Sequence, residues 1–169
     1  MKNRDFLKWI SYALVTVLAF TLQELLFSRL RIGGIAPVFG GAVVAVIAMF
    51  EGVMAGGIFG VVCGALLYQT PGGGEILYIF IYAAGGIAIG ALCSYMFRRR
   101  LVTALMWSLA LNAVATLSYM LVFFVMTRRV GFSALYTTAL PEILYSTAVT
   151  PLIYFPLREI FTRRKALDD

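Results

Sequence analysis

Residues 52–67 read GVMAGGIFGVVCGALL, a stretch without a charge in which Gly52, Gly56, Gly60 and Gly64 stand four apart. Side chains four apart stack on one face of a helix, so this ladder predicts a helix with a smooth groove along one side. In a bilayer such a groove lets another backbone come close, and close van der Waals packing holds membrane helices together. The ladder marks a helix built to be packed against. It carries no group that does chemistry.

Outward from the ladder the chain keeps the same character. Of its 169 residues 62% are hydrophobic and only 13% charged, with a mean hydropathy of +0.92; soluble domains carry roughly 25% charged residues. The charges fall in short clusters between long apolar runs. The reading is an all-α polytopic membrane protein, a single integral membrane domain over 1–169. Six transmembrane helices are expected at about 7–28, 35–50, 52–69, 76–97, 101–126 and 141–161. The second run is short for a span, which takes ~17–25 residues, and only Glu51 and Gly52 part it from the third, so the two read as a tight hairpin. Lys2, Arg4 and Lys8 precede a first run too long for a signal-peptide core of ~7–15 residues, so it reads as an uncleaved span.

With the N-terminus inside, one side of the membrane holds Lys2, Arg4, Lys8, Arg98, Arg99, Arg100, Arg158, Arg163, Arg164 and Lys165. The other holds only Arg29, Arg31, Arg128 and Arg129. Cations accumulate on the cytoplasmic side, which predicts both termini there and places Trp9 and Trp107 at the cytoplasmic headgroups. The net charge of +6 sits at span ends, where it faces lipid, so nucleic acid is not an expected partner and the lipid bilayer is. There is no histidine, the commonest general base and metal ligand. Cys63 and Cys93 read as small packing residues at different depths. The Thr70–Glu75 loop, Thr-Pro-Gly-Gly-Gly-Glu, lacks the Gly-Lys-Ser/Thr ending of a phosphate-binding loop. No nucleophile–base pair is recognisable, and no catalytic residue, metal or cofactor is expected.

Polar groups within the spans each admit two readings. Gln23 and Glu24 lie about a turn before the outer end of span one. An intramembrane carboxylate is by default a functional-site hypothesis, while an interfacial ion pair of Glu24 with Arg29 or Arg31 is the structural alternative. Pro141 and Glu142 open the last span, where proline costs no hydrogen bond and an acid is favoured by the positive helix end; a functional role for Glu142 stays open. Ser108, Asn112 and Thr116 recur every four residues on span five, as do Glu142, Ser146 and Thr150 on span six. At ~1.5 Å per residue, antiparallel spans put Asn112 and Thr150 at similar depths, so the two stripes are predicted to meet and exchange hydrogen bonds. A polar pathway for a small solute is the other reading. Pro151 is expected to kink span six. Gly86 and Gly90 form a second small-residue pair on span four, and both ladders either pack within the chain or receive a helix from another protein.

Taken in order, three elements resemble the bacterial rod shape-determining MreD family, over nearly the whole chain. They are Gln23 followed by Pro37; Phe50-Glu51-Gly52 leading into Gly56, Gly60 and Gly64; and Leu140-Pro141-Glu142-Ile143-Leu144 with Thr150-Pro151-Leu152 and a basic tail. Val38 and Tyr68-Gln69 stand where many members of the family have acids. The resemblance implies a non-enzymatic subunit of the cell-elongation complex in the bacterial cytoplasmic membrane. Its partners would be MreC, whose transmembrane helix would meet the glycine ladder, and more widely RodA, a penicillin-binding transpeptidase and MreB in lateral peptidoglycan synthesis and cell shape. The family is distantly similar to the S components of energy-coupling factor transporters, which implies an S-component-like bundle. It also supplies the alternative function, a vitamin-binding membrane protein with an outward pocket lined by Gln23, Glu24, Tyr78, Tyr82 and Glu142.

Overall fold

The computed structural model describes residues 2–27, 29, 35–69, 76–95, 100–127 and 135–168. The Thr70–Glu75 loop and the cations Arg31, Arg98, Arg99, Arg128 and Arg129 lie outside them. The described residues are almost entirely helical, without a strand. Helix α1 (Lys2–Leu22) runs into a π-helical turn, Gln23–Phe27; α2 is Gly40–Glu51, α3 Val53–Gln69, α4 Leu77–Tyr95 and α5 Leu101–Thr127. A second π-helical turn, Leu135–Ala139, leads into α6 (Leu140–Ala148), and α7 (Thr150–Asp168) follows after one residue. Among these, α4 and the Leu101–Val122 part of α5 are long and apolar enough to cross a membrane.

The centre of the bundle is α2. Every residue from Gly40 to Phe50 is buried, as a helix apolar on all sides requires. At 12 residues it is only ~18 Å long, short of the ~30 Å hydrocarbon layer. The expected helix over 35–50 is therefore corrected at its start: Ile35–Phe39 is not helical. Pro37 donates no hydrogen bond and biases the residue before it away from helix, and helix begins only at Gly40. At its other end, the chain turns on Gly52, whose φ of +86° an L side chain rarely adopts. The Gly52 N–H still bonds to the Ala48 carbonyl at 2.9 Å and its own carbonyl accepts from Gly56 at 3.0 Å, so α2 and α3 are joined with no loop between them.

The other helices surround α2. Phe50 rests on Tyr154 and Phe161 of α7, ring centroids 5.7 and 5.1 Å apart. On the α1 side Trp9 stacks on Phe59 of α3 at 5.9 Å, and Tyr12 meets the same ring edge-on. The last expected span is broken. Pro151 has no N–H to continue the helix, and the Leu152 N–H bonds instead to Val149, three residues back, at 3.0 Å. Hydroxyls on the helices mostly satisfy themselves locally. Thr16, Thr21, Ser94 and Thr147 each donate to the carbonyl four residues earlier at 2.7–2.8 Å, as short polar side chains do in apolar surroundings.

Candidate functional site

The glycine ladder is occupied within the chain. Helix α4 runs antiparallel along it, and each step of four up α3 is matched by three or four down α4. A Cβ on Gly56 would strike the Gly86 carbonyl, one on Gly60 the Tyr82 carbonyl, and one on Gly64 the Ile79 backbone. From the other side, a Cβ on Gly86 would strike the Gly56 carbonyl and one on Gly90 the Gly52 backbone. The two small-residue ladders read from the sequence thus fill one another, which is the first of the two alternatives the sequence left open. Gly52 differs from the rest: the atom nearest its absent Cβ is Ser94 Oγ at 3.6 Å, and its conformation is what requires glycine. Cys63 and Cys93 are buried free thiols.

The polar stripes of α5 and of α6–α7 face each other. Thr150 donates to Ser108 Oγ at 2.8 Å, Asn112 Nδ2 reaches the same oxygen at 3.4 Å, and Thr116 donates to Glu142 Oε1 at 3.2 Å. Ser108, Asn112, Thr116 and Thr150 are all buried. Asn112 also presses on α2, where a Cβ on Gly41 would collide with its amide. Ser146, the middle residue of its stripe, does not bond across to α5. Its Oγ accepts from the Val38 N–H at 2.8 Å, and Gln23 Oε1 accepts from the Phe39 N–H, also at 2.8 Å. Non-helical backbone at membrane depth is tolerated only where protein or water satisfies it. Gln23 and Ser146 do this for the segment ahead of α2.

Gln23 and Glu24, neighbours in sequence, part company. Gln23 is buried while Glu24 is exposed and lines a groove of about 420 Å³ with Val17, Phe20, Thr21, Leu25 and Leu66. It does not join the other residues expected in an outward pocket. Glu142 does, with an unexpected neighbour. Tyr78 stacks with Tyr82 at 5.9 Å and with Tyr119 of α5 at 5.8 Å, and Glu142 is tied to α5 through its bond from Thr116, one turn from Tyr119. Pro141 and Glu142 stand in the first turn of α6, as expected, and the π-helical turn Leu135–Ala139 precedes them. Two relationships had no signal in spacing: Tyr119 in this cluster, and the Tyr12 hydroxyl donating to Glu51 Oε1 at 2.7 Å.

Compared with protein-family models, with curated proteins and with solved structures, the chain finds no match. The residues and their geometry carry the functional reading alone.

Proposed function

We propose that this chain is a six-span protein of the bacterial cytoplasmic membrane, with both termini in the cytoplasm, serving as a non-enzymatic scaffold of the cell-elongation complex. The observation that carries the membrane part is an inverted surface. Leu14, Met54, Phe80, Val102 and Leu121 are between 59 and 78% exposed, while Ser108, Asn112, Ser146 and Thr150 are at most 2% exposed. A soluble monomer rarely shows large contiguous apolar patches; lipid is the surrounding that suits one. The loop cations supply the direction.

The scaffold reading rests on the resemblance to MreD together with where its residues lie. Gln23 and Pro37 belong to the strut ahead of α2, Phe50-Glu51-Gly52 makes the turn into α3, and Thr150-Pro151 breaks the last helix. All of these hold the bundle in shape. With the ladder filled by α4, the helix of MreC would dock on the lipid-facing side, and RodA, the transpeptidase and MreB would belong to the wider assembly. Purification from native bacterial membranes should bring MreC with the chain, and reporter fusions after Gly74 and Gly131 should read as external and after Arg99 as internal. Absence of MreC under conditions that keep the chain folded sinks the scaffold reading.

A solute-binding function of the S-component kind has one observation in its favour. The broken element at Ile35–Phe39 and the Tyr78–Tyr82–Glu142 cluster share one end of the bundle, and interrupted helices mark binding sites in transporters. A stoichiometric vitamin on the purified chain would put this reading first.

A further inference from the structure

We propose that the groove between α4 and α5 seats an acyl chain of an anionic phospholipid whose phosphate is held by Arg100 at the start of α5. The groove has a volume of about 470 Å³. Four small residues, Ala84, Gly85, Ala88 and Ala110, hollow it out, and Phe80, Trp107 and Val114 line it with larger side chains. Ala84, Ala88, Ala110 and Val114 are exposed, so it opens away from the core of the bundle. The two helices touch beneath it, where a Cβ on Gly85 would strike Leu111. No lining residue is charged.

Length and charge decide the occupant. On α5 the groove runs from Trp107 to Val114, roughly 10 Å by the helical rise. A partner's transmembrane helix needs a seat across the ~30 Å hydrocarbon layer, whereas a chain from one leaflet needs only its own half. Arg100 continues the groove, because it stands two turns before Trp107 on the same face of α5. From Arg100 to Val114 is roughly 21 Å, half of the ~40–45 Å between the two headgroup surfaces. A phosphate at Arg100 thus lets its acyl chain lie along Trp107 and end beside Val114 at the midplane. The Arg100 carbonyl accepts from the Ala104 N–H at 3.1 Å, which sets Arg100 at the positive end of the helix. The first turn of α5 has no acid, and Arg100 is exposed. A headgroup of net negative charge complements this end better than a zwitterionic one.

The site rests on the membrane placement proposed above, and its test separates the two. Trp9→Phe keeps a ring against Phe59 and leaves Trp107 as the sole tryptophan. The full chain with this change would be reconstituted in phosphatidylcholine vesicles holding a minor share of lipid brominated along its acyl chains, either phosphatidylglycerol or phosphatidylcholine. Brominated phosphatidylglycerol should quench Trp107 at a roughly fivefold lower mole fraction, the preference that one arginine gives an anionic lipid. Arg100→Gln should bring the two lipids level. Arg158→Gln, which removes an exposed cation on α7, should leave the preference intact. Ala88→Leu and Ala110→Leu fill the groove at exposed positions and should lower quenching by phosphatidylglycerol to the level of phosphatidylcholine. Equal quenching by both lipids in the Trp9→Phe chain, or an unchanged preference in Arg100→Gln, overturns the site and leaves the membrane placement standing. Quenching by neither lipid overturns both.

Discussion

Gly56 and Gly86 meet backbone to backbone: a Cβ on either would fall on the carbonyl group of the other. This contact and its repeats at Gly60 and Gly90 fuse α3 and α4 into one unit. Backbone carbonyls at such a crossing have no rotamer to escape into, so an added methyl must push the helices apart.

Gly56→Ala or Gly60→Ala is therefore predicted to destabilise the isolated chain by about 1–3 kcal/mol, the usual cost of overpacking. Gly57→Ala is the control. Its Cβ would meet only the Ile87 side chain at 3.0 Å, and the better helix propensity of alanine, about 1 kcal/mol, offsets the squeeze. Denaturant unfolding without any partner protein tests this; equal effects at Gly56 and Gly57 would mean that the ladder does not set the crossing.

Gly41 and Asn112 make a second close contact of a different kind, with an amide side chain in place of a backbone. Gly41→Ala should cost about 1–3 kcal/mol. Replacing Asn112 with alanine opens room, so the double variant Gly41→Ala/Asn112→Ala should be more stable than the two single losses predict. A double-mutant cycle with no coupling would contradict the contact.

The strut ahead of α2 rests on two side-chain acceptors. Gln23→Leu leaves the buried Phe39 N–H without its partner, and Ser146→Ala does the same to Val38. Each is predicted to cost about 1–3 kcal/mol, with little change in helix content by circular dichroism, because the bonds serve a non-helical segment. Protection of the Phe39 amide from hydrogen exchange should fall in Gln23→Leu and persist in Glu24→Leu; the reverse pattern would place the acceptor at Glu24.

Tyr12 joins α1 to the end of α2 through its hydroxyl and to α3 through its ring. Tyr12→Phe keeps the edge contact with Phe59 and removes the bond to Glu51, a loss of about 1.5–3 kcal/mol for a bond to a charged group. Tyr12→Ala removes both and should approach the ~3–5 kcal/mol of a deleted core aromatic. Similar unfolding midpoints for Tyr12→Phe and the natural chain would show that the hydroxyl bond is energetically idle.

The helical class, the apolar character and the places of the helices, to within about seven residues at their ends, are legible in the amino-acid order alone. Hydrophobic run length and four-residue spacing are local properties, and they need no knowledge of neighbours. The same order marks the residues with special geometry: Gly52 at the turn, the glycine and hydroxyl stripes, and Pro151 at the break. What each stripe faces depended on how the helices pack. A groove on a helix looks the same whether α4 or a foreign helix fills it, and register between two ladders appears only when both backbones are placed. The same holds for Ile35–Phe39. An apolar run with a proline reads as a short helix until the acceptors of Gln23 and Ser146, distant in sequence, are seen to hold it in a non-helical form.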